Sequence, residues 1–480
     1  MKRHRMTSRF STRPSGCKMA DAHYPLHKGE RQGEEDRDSR LHRYAVGGVR
    51  LAMLIAFLSS AIPVFSQSLL LSGATVHTIS GETLSPGKVL IKDGKIAGVG
   101  TALTAQGAQT IDLTGQHLYP GLIALNTVVG LIEISGVRAT QDTTEVGDYT
   151  PDVESWIAVN PDSELIPVAR AGGIAYFQPV PHGGAVAGQS GLVAVEGWTM
   201  EQRAIKKPLA LHVFWPNMDL GLRSTGRGFR SKGKAKSVDE QAKDRRSKLR
   251  ALQEFFEDAA AYAKAKDAAK SSGSTHETIP SWEAMLPYAR GQASIMIHAD
   301  DSRQIKAAVQ WASTNKFRFM IAGGRDAWMV SDLLASNKVP VVYSQTFTLP
   351  ERDTDSYDVH FKAPALLSAA GVKVSFSPGE TSSDAPLAKN LPYVAAHAVA
   401  FGLSQEEALK GMTLYPAQAA GVADRLGSIE NGKEATLFSA DGDILDIRTR
   451  VTRMWFSGKE ISLENRHTRL YEKYKNRPKP

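Results

Sequence analysis

The stretch Tyr119–Gly130, YPGLIALNTVVG, decides the fold. It opens with a Pro-Gly pair, which marks a turn, and continues into Leu122–Leu125, which is apolar on both faces. A short strand buried on both faces is typical of a parallel sheet that is covered by helices. The polar pair that begins at Asn126 then lies at the carboxyl end of this strand, where parallel α/β folds place their chemistry.

The region from about residue 120 to residue 423 alternates short apolar runs with helical patterns. This alternation predicts βα units and a parallel sheet, and roughly eight such strands are enough to close a (β/α)8 barrel. The candidate strands are Leu122–Leu125, Ile174–Pro179, Leu192–Val195, Leu209–Phe214, Ile295–His298, Arg318–Ile321, Val339–Tyr343 and Val372–Ser377. The candidate helices are Asp162–Ala171, Ser237–Ala268, Asp301–Thr314, Asp326–Asn337 and Ser404–Met412.

The charge of the chain is concentrated at its amino end. The whole sequence carries 58 basic and 50 acidic side chains, a net charge of +8. Residues 1–50 contribute 12 of the basic and 6 of the acidic side chains and residues 51–66 contribute none, which leaves 46 and 44 for residues 67–480. A nearly neutral body gives no support to a nucleic-acid partner. Cys17 is the single cysteine, so the body forms neither a disulfide nor a thiolate metal site.

The amino end predicts export. Residues 1–50 are polar and without periodicity, which indicates a disordered lead or a start upstream of the true one. Residues 51–66 combine a basic flank, the apolar run Leu51–Leu58 and a small-residue exit at Ser66, the pattern of a signal peptide. An uncleaved membrane anchor is the alternative. Both interpretations place the body in the periplasm or outside the cell, and cleavage predicts a mature start near Gln67.

Several motifs resemble those of one family. The stretch YPGLIALNTVV resembles the first barrel strand of the amidohydrolase superfamily, usually written PGLIDxHxH. The motifs IHAD, ALKGMTLYPAQAAGV and GSIENGK follow in the family's order, and the imidazolonepropionase-like and prolidase-like branch is the most similar. The resemblance implies a (β/α)8 TIM-type barrel over residues 119–424. It also implies a flanking small β-sandwich built from residues 67–118 and 425–465, and leaves a tail at 466–480.

The first strand lacks the family's metal ligands. The two histidines that normally hold the metal fall on Asn126 and Val128. Valine is unable to bind a metal, whereas the Asn126 carbonyl is a weak ligand or a substrate-binding group. On the eighth strand the family's aspartate falls on Gly379, and Glu380 beside it is the candidate replacement in a catalytic role.

Two histidines are the remaining candidates for a metal site. His298, in the IHAD motif, falls on a metal-binding histidine of the family, and His212 falls where the family has a bridging lysine or carboxylate. The resemblance therefore implies one divalent metal such as zinc, held by these two histidines with help from Glu380 or Asn126. Catalytic zinc usually has three protein ligands. The alternative is that both are strand-end histidines satisfied by hydrogen bonds.

Three further residues follow candidate strands. Arg325 is a candidate catalytic and substrate-binding residue, because a guanidinium at the barrel mouth would hold a substrate carboxylate. Asp326 is predicted to cap the helix that follows it. His182 lies in a Gly-rich loop, which indicates either close packing or an anion site.

Two functions remain open on the sequence. The resemblance implies a metal-dependent hydrolase that cleaves carbon–nitrogen bonds in small-molecule amides or peptides. The missing ligands favour a catalytically inactive relative that acts as a binding module or as the partner subunit of an active paralogue. Neither the substrate nor a homo-oligomer is determined by these patterns.

Overall fold

The computed structural model describes residues 68–218 and 236–478. The predicted lead, the signal peptide and Cys17 lie outside these residues and stay predictions. The described strands are β1 (Leu69–Val76), β2 (Leu84–Lys92), β3 (Lys95–Gly100), β4 (Gln109–Asp112), β5 (His117–Pro120), β6 (Leu122–Thr127), β7 (Ile174–Pro179), β8 (Val186–Ala194), β9 (Ala204–Phe214), β10 (Ser294–Ala299), β11 (Phe319–Gly323), β12 (Val341–Tyr343), β13 (Val374–Phe376), β14 (Leu437–Ala440), β15 (Val451–Phe456) and β16 (Lys459–Ile461).

The helices lie mainly between the later strands. They are α1 (Leu165–Arg170), α2 (Met200–Arg203), α3 (Val238–Ser272), α4 (Pro280–Ala289), α5 (Ser302–Thr314), α6 (Ser331–Ser336), α7 (Val359–Ala369), α8 (Leu391–Ala400), α9 (Gln405–Met412), α10 (Leu414–Ala419) and α11 (Arg466–Lys475). Within the two described stretches, no helix has the length and apolar character needed to cross a membrane.

The two ends of the described chain build one mixed sheet. Its order is β16-β15-β14-β5-β1-β2-β3, with β4 also paired to β1. The carboxyl-terminal strand β14 pairs antiparallel with β5, and Phe438 lies opposite Tyr119. The turn between β2 and β3 has positive φ at both Asp93 and Gly94, as the Asp-Gly pair requires for a tight hairpin. A two-layered sandwich at this place stays a prediction.

The second sheet forms a nearly closed barrel. Its order is β13-β12-β11-β10-β9-β8-β7-β6, and all neighbouring strands are parallel except the two pairs that contain β8. A parallel bridge between Thr127 and Gly379 joins the end of β6 to the segment after β13. All six residues of β6 are buried, in agreement with the apolar pattern from which the strand was predicted. The observed architecture is therefore a mixed α/β fold around a barrel-type sheet.

Strand β8 departs from the predicted βα alternation. The sequence predicted Leu192–Val195 as one strand of a parallel barrel, whereas β8 is longer and runs antiparallel to both of its neighbours. Only residues 180–185 join it to β7, and a parallel crossover needs a dozen residues or more. Gly183 and Gly184 both have positive φ in this connection, so a hairpin replaces one βα unit.

Helix α5 shows how the local sequence builds the outer layer. The Asp301 side chain accepts a hydrogen bond from Arg303 N at 2.8 Å, and Gln304 Oε1 accepts one from Asp301 N at 3.0 Å. These bonds form a capping box and fix the helix start where the sequence predicted it. Apolar residues recur at helical spacing on the face that packs on the barrel. The buried residues are Ile305, Ala308, Val309 and Ala312.

Several helices were not predicted. Helices α4 and α7 contain Pro287 and Pro364, and proline inside a helix removes one backbone hydrogen bond. Neighbouring packing nevertheless retains both helices. Helices α10 and α11 were also missed.

Candidate functional site

Four of the predicted site residues lie near the carboxyl ends of barrel strands. His212 belongs to β9, His298 to β10 and Asn126 to β6, and Glu380 follows β13. Strands β9 and β10 are parallel, with His298 opposite Phe214 in the register. Because carboxyl ends of parallel strands share one edge, side chains that are remote in sequence meet there.

His298 joins a carboxylate to a second imidazole. Its Nε2 atom lies 2.9 Å from Nδ1 of His212, and its Nδ1 atom lies 2.9 Å from Oε2 of Glu380. The Phe214 ring stacks on the His298 ring with centroids 4.0 Å apart. The His298 side chain is 6% exposed and that of Glu380 is 27% exposed, so the carboxylate forms the accessible end of this group.

The group continues inward through polar residues that are fully buried. His212 Nε2 lies 2.7 Å from Ser190 Oγ, which accepts a hydrogen bond from Gln178 Nε2 at 2.8 Å. Gln178 Oε1 in turn accepts a hydrogen bond from Asn126 N at 3.1 Å. We call Glu380, His298, His212, Ser190 and Gln178 the buried relay. It runs from the barrel edge to the backbone of β6.

Burial and neighbouring side chains determine the charges of His212 and Glu380. Burial, together with the neighbouring His298 and His182, holds the pKa of His212 well below its ordinary value, so His212 is neutral. Burial alone would raise the pKa of Glu380. His298, His182 and Asn126 outweigh that effect, and the pKa of Glu380 lies below its ordinary value. Glu380 is therefore ionised at neutral pH.

The charge of Glu380 determines which atoms of the relay donate hydrogen bonds and which accept them. Because Glu380 is ionised and lies 2.9 Å from Nδ1 of His298, it favours the tautomer of His298 that carries its proton on Nδ1. Its Nε2 then accepts from His212 Nδ1, and His212 Nε2 accepts from the Ser190 hydroxyl. The alternative acceptor for Ser190, the Ala210 carbonyl, lies farther away at 3.4 Å.

Asn126 is held in an unusual backbone conformation. Its φ is +55°, a left-handed value that asparagine tolerates better than most residues. Ser377 Oγ donates to its carbonyl at 2.8 Å, and Gly379 N donates to Ser377 Oγ at 3.0 Å. The buried carboxamide favours the charged form of Glu380, but neither its oxygen nor its nitrogen reaches hydrogen-bond geometry with a described residue. These contacts fix the end of β6 beside the segment that carries Glu380.

Arg325 contacts acidic side chains instead of the buried relay. Its Nη1 atom lies 3.3 Å from Glu351 Oε2, and its Nε atom lies 3.7 Å from Asp326 Oδ1. Its backbone N donates to Asp300 Oδ1 at 3.2 Å. Among the contacts recorded for residues 68–218 and 236–478, none joins its guanidinium to His212, His298 or Glu380.

The capping role predicted for Asp326 was wrong. No side-chain hydrogen bond caps the short 3-10 helix that follows it. Its Oδ2 atom instead accepts from Ser302 N at 3.2 Å, at the start of α5, and pairs with Arg352. The Asp326 carboxylate therefore accepts a hydrogen bond at the start of α5 and not at the start of the 3-10 helix that follows Asp326. The fold places the start of α5 within reach of this side chain.

Sequence reasoning did not select Asp300, although it belongs to the IHAD motif. Its Oδ1 atom accepts from Arg325 N and, at 3.1 Å, from Gln345 Nε2. Burial raises the pKa of Asp300 above its ordinary value, and the nearby charge of Glu380 acts in the same direction. Two carboxyl groups at this edge therefore have pKa values that are shifted in opposite directions.

His182 also belongs to this neighbourhood. Burial lowers the pKa of His182, with smaller effects from Glu380 and His298. Its Nε2 atom is buried without a hydrogen-bond partner in the described chain, and its ring lies edge-on to Phe214. The Gly-rich loop is the sequence feature that marks this residue, and it indicates either close packing or an anion site.

The described donors do not fit a catalytic metal site. No group of three or more His, Cys, Asp or Glu side chains in residues 68–218 and 236–478 is placed to hold a metal ion. His212 and His298 direct their facing nitrogens at each other. Zinc in catalytic sites usually has three protein ligands and an open position.

Comparisons with known proteins agree with the fold. The amidohydrolase family profile matches residues 266–463. An amidohydrolase from Thermotoga maritima MSB8 is 26% identical with a TM-score of 0.70, over 82% of this chain and 99% of that protein. A prolidase complexed with N-methylphosphonate-L-proline is 16% identical with a TM-score of 0.50, over 82% of this chain and 99% of that protein, a likeness of fold alone.

A curated relative is also similar. Amidohydrolase tasK of Hapsidospora irregularis is 23% identical over 394 residues, which cover 78% of this chain but only 39% of that relative. The chain thus spans well under half the length of the curated protein that it matches. The profile match and the Thermotoga structure agree with the motifs in the sequence. The chain belongs to the amidohydrolase superfamily.

Proposed function

We propose that this chain is a hydrolase of carbon–nitrogen bonds in small-molecule amides or peptides. The observation that carries the proposal is the convergence of His212, His298 and Glu380 from three different strands at one edge of the barrel. The similarity to the Thermotoga maritima amidohydrolase supports the reaction class. A barrel edge with converging titratable groups is the usual place for chemistry in this fold.

The carboxyl groups suit the two proton transfers of amide hydrolysis. Glu380, ionised and partly exposed, takes a proton from a water molecule, and the oxygen of that water attacks the amide carbonyl carbon. The carbon–nitrogen bond then breaks as Asp300, in its protonated form, delivers a proton to the leaving nitrogen, and the proton on Glu380 afterwards passes through water to Asp300, which restores both groups. Carboxyl groups with pKa values shifted in opposite directions are a recurrent arrangement for such acid–base pairs. Arg325 is the candidate group for a substrate carboxylate.

The buried relay positions Glu380 in this proposal. His298 Nδ1 lies 2.9 Å from the carboxylate, and the other nitrogen of its ring contacts His212, which in turn contacts Ser190. Members of the amidohydrolase family generally use metal ions such as zinc. A divalent metal on His298 and His212 would require these histidines to give up their mutual contact, so no proposed step depends on it.

A substrate panel tests the proposal. The purified full-length protein is assayed with dipeptides, N-acyl amino acids and cyclic amides, after treatment with a chelator and with added zinc or manganese. We expect measurable turnover of at least one class. Absence of turnover of every class, in all three conditions, would contradict a hydrolase.

One observation favours a second function, a binding module or partner subunit of an active paralogue. The nitrogens of His212 and His298 that would face a metal contact each other, which suits a stable binding surface better than a metal centre. Calorimetric titration with the same amides discriminates the two functions, because a binding module associates with a ligand and leaves it intact.

We also propose that the protein is exported to the periplasm or beyond. The proposal rests on the basic flank, apolar core and small-residue exit of residues 51–66. Amino-terminal sequencing of the protein isolated from cells is expected to begin near Gln67. A sequence that begins before residue 51 would overturn cleavage.

A further inference from the structure

The carboxyl-terminal helix α11 presents an exposed face of mixed aromatic and basic character. Its start is fixed, because the Asn465 side chain accepts hydrogen bonds from His467 N and Thr468 N, and Thr468 Oγ1 accepts one from Asn465 N. None of its own residues is buried. The helix is therefore well formed although it contributes no side chain to the core.

Polar contacts hold one side of α11 to the rest of the fold. Arg469 Nη2 lies 2.6 and 2.8 Å from the two carboxylate oxygens of Glu164, which precedes α1. The contact turns the Arg469 side toward the barrel. It leaves the apolar side chains of the helix partly exposed to solvent.

The apolar side chains form one stripe. Leu470, Tyr471 and Tyr474 are 39%, 63% and 60% exposed. With 3.6 residues per turn they fall within an arc of about 100° around the helix axis. Tyrosine at such a position presents an apolar ring and a polar tip, which suits the boundary between water and lipid.

Basic side chains flank this stripe. Lys475 Nζ lies 5.5 Å from the Tyr471 ring centroid, and Lys473 Nζ lies 5.6 Å from that of Tyr474. Long basic side chains beside an apolar stripe can lie along it while their charges remain in the headgroup region. Glu472 is the single acidic residue of the helix; its position in the helix is on the opposite side, and its Oε1 atom lies 3.8 Å from Lys475 Nζ.

Positive charge is dense in this segment. Residues 466–478 hold five basic side chains and one acidic side chain, a net charge of +4, whereas residues 67–480 as a whole carry 46 basic and 44 acidic side chains. A second basic run, residues 223–236, carries six basic and no acidic side chains but lacks an apolar stripe of this kind. A short basic helix with an apolar stripe fits a flat anionic surface better than it fits a nucleic acid.

We propose that the exposed face of α11 lies on the surface of an anionic lipid bilayer. Leu470, Tyr471 and Tyr474 enter the headgroup boundary, and the flanking lysines contact the lipid phosphates. The helix lies in the plane of the surface and holds the barrel against the membrane. This contact is independent of whether the barrel hydrolyses amides.

Hydrogen exchange on the full-length protein tests the proposal directly. We expect residues 466–475 to gain protection when phosphatidylglycerol vesicles are added, to gain none with phosphatidylcholine vesicles, and to lose protection at high salt. Unchanged exchange of this segment with phosphatidylglycerol would overturn the proposal. Protection by a single-stranded RNA and none by phosphatidylglycerol vesicles would overturn it in favour of nucleic-acid binding.

Variants test which side chains bind. Lys473→Ala with Lys475→Ala is expected to lower partition onto phosphatidylglycerol vesicles roughly 25-fold, because each basic residue near such a surface contributes about fivefold. Tyr471→Ser with Tyr474→Ser should also lower it, and Glu472→Gln, the matched control on the opposite side, should not. The amino-terminal segment is the same in every variant, so differences report on α11. Equal partition of the lysine variant and the wild type would contradict the proposal.

Discussion

His298 Nδ1 lies 2.9 Å from Oε2 of Glu380, although His298 belongs to β10 and Glu380 follows β13. The opposite nitrogen of the same imidazole lies 2.9 Å from His212. One side chain thus links the exposed carboxylate to the buried interior. The charge of Glu380 and the tautomer of His298 are therefore coupled.

Glu380→Gln removes the charge while it keeps the size of the side chain. If Glu380 is the base of the proposed hydrolysis, kcat falls by about 100- to 10,000-fold, the range of general-base contributions. KM should change much less, because the amide retains the shape of the site. Steady-state kinetics on the best substrate measure both values. Glu82→Gln, at an exposed position, is the matched control and should retain activity; equal activity of the two variants would exclude the role.

Ser190→Ala interrupts the buried relay between His212 and Gln178. Gln178 Nε2 loses its acceptor and His212 Nε2 loses its donor, and both groups are fully buried. An unsatisfied buried polar group costs about 1–3 kcal/mol, so we expect the free energy of unfolding in urea to fall by that amount. Ser190→Thr, which retains the hydroxyl, should recover part of the hydrogen bonding although it adds a methyl group. No loss in Ser190→Ala would show that these contacts are energetically neutral.

Acid should destabilise the fold partly through His77 in the first sheet. His77 Nε2 lies 2.9 Å from His117 Nδ1. Burial and His117 lower the pKa of His77 to about 4, against the opposing effect of Asp443. Between pH 6.5 and about 4 the unfolded chain binds a proton at His77 that the folded chain does not, so stability falls as the pH falls through this window.

Replacement of His77 tests this contribution. His77→Gln should remove on the order of 1–2 kcal/mol of the pH dependence of the unfolding free energy, since the group is partly exposed. Urea unfolding at pH 7, 6, 5 and 4 measures the slope for wild type and variant. His276→Gln, outside this cluster, serves as the control. Parallel slopes for His77→Gln and wild type would contradict the assignment.

The sequence predicted the strands best where burial is simplest. Ile174–Pro179 was predicted with the bounds that β7 has, because an uninterrupted apolar run between turn residues has few alternative interpretations. The direction of β8 was missed because its residues are buried on both faces in either orientation. Only the length of the Gly183-Gly184 connection distinguishes a hairpin from a crossover.

Only the site residues near strand ends were predictable from the sequence. His212, His298 and Glu380 stand at strand ends, and the rule that such ends share one edge was enough to bring them together. Ser190 and Gln178 occupy interior strand positions, where polar residues give no sequence signal of their partners. Their role depends on the β7–β8–β9 pairing, which local patterns do not encode.

Gly379→Asp would place at this position the aspartate that the amidohydrolase family has there. We expect the added aspartate to destabilise the fold and to create no metal site. Gly379 has a φ of +104°, and a Cβ atom there would lie 2.4 Å from Asp384 Oδ2. Asp384 is held in place by Thr381, whose N and Oγ1 donate to that oxygen at 2.9 and 2.6 Å. We expect a loss of about 2–4 kcal/mol of unfolding free energy, from backbone strain and from crowding of two carboxylates.

Two alanine variants separate strain from crowding. Gly379→Ala introduces both backbone strain and crowding. Gly421→Ala also places a side chain at a positive φ, of +67°, but no atom lies within 4 Å of the added Cβ. Gly421→Ala should therefore cost only the conformational part, about 1–2 kcal/mol, and less than Gly379→Ala. Urea unfolding gives the three values, and zinc titration of Gly379→Asp should show no gain in affinity over wild type. A stable Gly379→Asp variant that binds zinc would instead mean that the loop before Glu380 rearranges readily, and that this barrel edge retains the capacity for a metal site.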